Sequence, residues 1–144
     1  MKTRDELVTM VASKSHERWR ADYLAKNPGK PRIKETKDPA FHARGIGEVD
    51  ISALAYADLP TDWQAENKAN AEVVVDYLLN AVAASQPLDS NFVEAASAVA
   101  HEKWLERNGA DASEHQKPPY AQLSEDEKEK DRFSVRAAVE AYQS

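Results

Sequence analysis

The sequence predicts an all-α protein: two helix-loop-helix repeats packed as one pseudo-twofold helical bundle, with a long loop in the first repeat. Three observations predict it. Blocks of sequence recur in the same order. Four apolar stripes run at helical rather than alternating spacing. Helix-start signals precede those stripes.

The repeat is read from two blocks. His16-Glu17-Arg18-Trp19 recurs as His101-Glu102-Lys103-Trp104 at an offset of 85, which also aligns Leu7-Val8 with Phe92-Val93 and Val11 with Ala96. Leu54-Ala55-Tyr56-Ala57-Asp58-Leu59 recurs as Pro118-Pro119-Tyr120-Ala121-Gln122-Leu123 at an offset of 64, which also pairs Asp62 with Asp126, Lys68 with Arg132 and Val75 with Val139. The first copy therefore carries 21 more residues between its Trp and its Tyr. The units run over roughly 3–82, with a long loop at 25–55, and 88–143, with Gln86-Pro87 in the joint.

The first helix is expected to begin at Thr3, with Glu6 completing a capping box. Leu7, Val8, Val11, Ser15 and Trp19 form its stripe, and Asn27-Pro28-Gly29 stops it. A short strand piece is expected at Val49-Asp50-Ile51. The second helix is placed at Thr61, with Gln64 as box partner and Ala65, Ala69, Val73 and Tyr77 inward, widened by Val74 and Leu78. Its β-branched run resembles a strand, but the flanking Ala, Glu, Asn and Lys favour helix. The third starts near Asp89 or Ser90, turns Val93, Ala96, Ala100 and Trp104 inward, and ends at Asn108-Gly109. The fourth starts at Ser124, with Glu127 as box partner and Val135, Ala138 and Tyr142 as its stripe. A single helix pair cannot bury its apolar face well, so the two pairs are expected to pack together.

Composition narrows the function. At 144 residues, with 42% apolar and 31% charged, the chain fits one soluble domain. The best apolar run, Val73 to Leu79, already contains Asp76, far short of the ~20 residues a membrane span needs. No apolar core follows Met1 to Glu6, so a cytoplasmic location is expected. Zero cysteines exclude disulfides, thiolate catalysis and Cys-based metal sites. A net charge of −6 argues against a nucleic-acid surface. No Gly-rich phosphate loop exists.

The repeated unit resembles the ryanodine-receptor repeat domain, a module also found as free-standing bacterial and phage proteins. His16-Glu17-Arg18-Trp19 and Tyr56-Ala57-Asp58-Leu59-Pro60 carry the resemblance in the first copy. His101-Glu102-Lys103-Trp104, Tyr120-Ala121-Gln122-Leu123 and the charged helix around Glu127 to Arg132 carry it in the second. The resemblance covers nearly the whole chain. It implies a paired helical module with a two-fold relationship. No channel segment is present, so channel activity is not implied, and no enzymatic reaction is carried over. The second copy lacks the long basic loop, so a ligand at that loop would belong to the first copy alone.

Candidate residues follow from the repeats. His16 and His101 each precede Glu, but a zinc-protease helix needs a second His at i+4, where Arg20 and Leu105 stand. Each His is expected to be a buried hydrogen-bonding residue that holds its Trp. Trp19 and Trp104 are expected to be core anchors, with an aromatic shelf for a base or sugar as the alternative. Tyr56 and Tyr120 precede helix starts, where their hydroxyls tie a loop down. Trp63 has no aromatic counterpart, because Glu127 takes its place, and suggests a contact surface. Glu17 and Glu102 are equivalent and read as structural. Residues 125–131 read as a solvated charged face. His42 and His115 lie in loops, and no metal ligand set or cofactor is expected.

Residues 26–44 hold six cations, including Arg32, Lys34 and Lys37, against Glu35 and Asp38; the segment carries +4 while the rest carries −10. Clustered cations in an acidic chain suit a phosphate. The expected function is a non-enzymatic binding module for a phosphate-bearing, nucleotide-derived ligand. Arg32, Lys34 and Lys37 would contact phosphate, with Tyr56 and Trp63 beside the organic part. The plainer expectation is a solvated loop packed on acidic helices. The alternative function is a protein-interaction scaffold, homodimeric or with another partner.

Overall fold

The computed structural model describes residues 2–144. Thr3 accepts from the Glu6 amide at 3.1 Å and donates its own amide to Glu6 Oε1 at 3.2 Å, so the box opens helix α1 (Arg4–Lys26) as expected. Asn27 closes α1 by donating its amide to the Tyr23 carbonyl. Strand β1 (Ile33–Glu35), helix α2 (Pro39–Ala43) and strand β2 (Glu48–Asp50) follow. The strands pair antiparallel, Lys34 opposite Val49, so the long loop is a small hairpin folded around a helical turn. Helices α3 (Thr61–Ala83), α4 (Ser90–Asn108) and α5 (Glu125–Gln143) complete the chain. Single 3-10 turns at Tyr56–Asp58 and Tyr120–Gln122 lead into α3 and α5.

The chain is an all-α helical bundle. Within each unit α1 packs on α3, and α4 on α5; across the units α1 packs on α5, and α3 on α4. Exchanging α1 with α4 and α3 with α5 maps this set of contacts onto itself. The axis runs through the contact between α3 and α5. There Asn70 Nδ2 donates to Ser134 Oγ at 3.4 Å. These two residues stand 64 apart, the repeat offset, so a residue meets its own counterpart. An isologous contact has this property.

Leu7, Val11, Val74, Val75, Leu78 and Val135 fill the centre, with Ala96, Ala100 and Ala138 letting backbones approach. The inward faces differ from the expected stripes by part of a turn. In α3 the buried residues are Ala71, Val74, Val75, Leu78 and Ala81; Ala65 is exposed, and Ala69, Val73 and Tyr77 lie at the margin. α3 touches α1, α4 and α5, so three neighbours select its face rather than a single partner. Of each His–Trp pair in α1 and α4 it is the histidine, His16 and His101, that is buried, not Trp19 or Trp104.

The start of α3 also departs from expectation. Pro60 occupies the cap and has no side chain to offer; Gln64 instead donates to the Tyr56 carbonyl at 3.0 Å. The missing cap comes from the hairpin. Asp38 Oδ2 accepts from the Thr61 amide at 2.8 Å and the Thr61 hydroxyl at 3.0 Å, while Oδ1 caps α2 through Ala40. Thr36 Oγ1 and the Lys37 amide both donate to Asp62, each at 2.8 Å. One buried carboxylate thus caps two helices and latches the hairpin to its own repeat.

Two stability tests follow. Leu78→Ala should cost about 2–5 kcal/mol by denaturant unfolding, whereas Ala65→Glu should stay within about 0.5 kcal/mol; the reverse order would show that the inward face is misassigned. Asp38→Ala should cost about 1–2 kcal/mol, the range for losing a helix cap. It should also raise amide exchange across residues 33–50, with Asp58→Ala as an unaffected control.

Candidate functional site

Each histidine is a hinge between a helix and the loop of its own repeat. His16 Nε2 lies 2.8 Å from the Leu54 carbonyl, and His101 Nε2 lies 2.9 Å from the Pro118 carbonyl. A carbonyl only accepts, so Nε2 carries the proton in both. Leu54 and Pro118 are themselves counterparts at the offset of 64. The Trp one turn later stacks on its His, with ring centroids 5.8 Å apart for His16–Trp19 and 6.0 Å for His101–Trp104. Trp19 stacks again on Tyr23 at 5.3 Å. The buried His therefore aims an outer Trp: Trp19 is 36% exposed and Trp104 half-buried.

Both tryptophans line a cleft of about 270 Å³ on the pseudo-twofold axis. Its walls come in counterpart pairs: Trp19 with Trp104, Glu66 with Lys130, Asn67 with Asp131, and Asn70 with Ser134. Ser15, Arg18, Asp22 and Phe133 complete the lining. The Ser15 and Ser134 hydroxyls bond to each other at 3.0 Å. A smaller cleft of about 120 Å³, lined by His101, Gln116, Leu123 and Glu127, shares Trp104, Lys130 and Asp131 with the first.

No family model matches the chain, and neither a curated protein nor a solved structure matches it. The site is therefore read from its own geometry.

Asp131 is the group in the wall that the sequence reading passed over. It was expected on a solvated face with residues 125–131, and its neighbours do pair there: Lys128 with Glu125 at 3.7 Å and Lys130 with Glu127 at 3.0 Å. Asp131 itself turns inward, with a side chain only 18% exposed. The signal was available, because Asp131 stands one turn before Val135 and extends that inward stripe. Burial, reinforced by Glu127 and opposed by Lys130, pushes its carboxyl up to about 7. The His101 ring lies beside it, with Nδ1 at 3.9 Å.

The residues expected to hold phosphate are placed elsewhere. Arg32 and Lys37 are exposed and Lys34 half-buried on the hairpin. None of the six cations of residues 26–44 forms a salt bridge among the described residues; Arg44 instead lies over the Phe41 ring. Packing on acidic helices therefore does not account for this positive charge. Tyr56 is only 8% exposed, and burial raises its hydroxyl pKa. Trp63 Nε1 donates to the Glu35 carbonyl at 2.8 Å, so this ring anchors the hairpin. The five residues do not converge on the axial cleft, where none of them is found.

Tyr120 differs from its counterpart. Its hydroxyl donates to Glu94 at 2.6 Å, and Arg132 joins both. Arg132 and Tyr120 hold the Glu94 carboxyl down to about 2. Thr9 and Lys68 stand at the equivalent places of the first repeat, so only the second has this network.

The Asp131 carboxyl gives a pH test. Its folded value lies above the ordinary 3.8, so it favours folding most below pH 4 and loses that contribution as pH rises towards 7. Asp131→Asn should therefore gain on the parent across that window, by about 1–3 kcal/mol at pH 8. Melting temperatures at pH 5 and 8 check this; a difference independent of pH would show that Asp131 is ionised in the fold throughout.

Proposed function

We propose that this chain is a non-enzymatic ligand-binding module whose site is the axial cleft, built from two ryanodine-receptor-type repeats. One observation carries the reading: equivalent tryptophans from the two repeats line one cleft that has polar groups at its floor. Aromatic walls with a few placed polar groups are the usual make-up of a small-molecule site. About 270 Å³ suits one flat ring system better than a whole dinucleotide. Trp104, stacked on His101 alone, supplies the freer stacking face, while Trp19, already stacked on His16 and Tyr23, supplies a wall. Asn67, Asn70, Ser15 and Ser134 supply hydrogen bonds that fix the ring in its plane.

A second reading stays with the hairpin, on a separate observation. Its cations lack salt-bridge partners among the described residues, which leaves Arg32, Lys34 and Lys37 available to a phosphate-bearing ligand or an acidic partner protein. The two readings place their ligands on different residues and are separable.

Thermal unfolding against a panel of nucleobases, nucleosides and phosphorylated metabolites tests both. Ligand at 100 times its dissociation constant adds roughly 2.7 kcal/mol, a shift of several degrees for a chain of this size. For the cleft, the shift should vanish in Trp19→Ala and Trp104→Ala and survive Arg32→Ala with Lys34→Ala. The opposite pattern assigns the ligand to the hairpin. No shift with any compound removes both ligand readings and favours the scaffold role.

A further inference from the structure

We infer that the axial cleft selects a planar organic cation, with the Asp131 carboxylate as its counter-ion; this rests on the cleft reading above. Arg18 is already engaged, donating to the Glu129 carbonyl at 3.0 Å and lying over the Phe133 ring at 4.8 Å. Lys130 is taken by Glu127 at 3.0 Å. Glu66 is taken by Arg107 at 2.9 Å. Asp22 and Asp131 make no hydrogen bond among the described residues. Lys130 and Glu66 are thus paired, Arg18 is held by a backbone carbonyl and a ring without a carboxylate partner among the described residues, Asp22 is exposed, and Asp131 is the half-buried wall carboxylate without a hydrogen bond among the described residues.

The walls suit the same ligand. A cation over an indole face is attracted by the ring quadrupole, more so where water is excluded. A partly buried carboxylate without a hydrogen bond is unfavourable, and a donor-rich cation supplies the missing partner. The two repeats differ here in a way that matters: Asn67 stands opposite as the neutral counterpart of Asp131. Asp131 therefore places a carboxylate at the end of the cleft where the first repeat has an amide. An amidinium or aminated heterocycle is flat enough to stack and carries its N–H donors along one edge, facing Asp131.

The groups facing Asp131 are Glu127 and Lys130 on its own helix, His101 on α4, Glu66 on α3, and Arg18 and Asp22 on α1. Burial favours the protonated carboxyl as pH falls below about 7. Loss of the carboxylate charge weakens binding of a cation at low pH.

The test uses benzamidine and its uncharged isostere benzamide as probes of the full chain, read through the three indole N–H signals by NMR. Benzamidine should shift Trp19 and Trp104 and leave Trp63, which is bonded to Glu35, unmoved. Its affinity should exceed that of benzamide by at least fivefold at pH 7.5 and fall by at least threefold at pH 5.5. In Asp131→Asn the ratio between the two probes should collapse towards one, a readout that a merely structural role would not move. Equal affinities in the parent, or an unchanged ratio in Asp131→Asn, overturn the cation assignment while leaving the cleft as an aromatic site. If neither probe moves Trp19 or Trp104, the cleft reading itself falls.

Discussion

The bond from a buried histidine to a loop carbonyl sets the geometry of each repeat. His16 to Leu54 and His101 to Pro118 do the same work at the same place. A neutral imidazole in the interior satisfies a carbonyl that would otherwise be buried alone, at a cost of a few kcal/mol. Its ring also fixes how close the Tyr-bearing turn lies to the first helix, and hence where the second helix starts. The Trp one turn on then has nowhere to go but outward, stacked on the imidazole.

From that constraint the cleft follows. Two repeats related by an axis bring their counterparts face to face wherever the axis meets the surface. Asn70 meets Ser134, and the tryptophans stand on either side. A chain of this size has little interior to spare for a cavity. Here the concavity arises between units rather than inside either one.

Much of this was legible in the sequence. Both matched blocks, the Thr3–Glu6 box, the starts of the four long helices, the stops of α1 and α4 and the buried role of His16 and His101 could be read from spacing and local chemistry, although the cap expected for α3 was not the one used. The faces of the helices could not be read as well. α3 carries apolar residues on more than half its circumference, so periodicity alone does not say which side its three neighbours choose. The tryptophans were assigned to the core by size, although the histidine three residues earlier takes that place. Asp131 reads as part of the charged run around it, although it stands one turn before Val135 on the inward stripe, because the composition of the run outweighs register. The hairpin latch depends on Asp38 reaching Thr61 across 23 residues, a pairing no local pattern encodes.

A site on an axis has a counting rule of its own. Two repeats would ordinarily offer two sites, one apiece. A cleft that straddles the axis belongs to both halves, so a ligand bound there as proposed would be one per chain although the architecture is double. Were the halves identical, that ligand could sit in either of two flipped orientations of equal energy. The unlike pairs across the axis, Glu66 with Lys130, Asn67 with Asp131 and Asn70 with Ser134, lift this degeneracy and give the groove a defined head and tail.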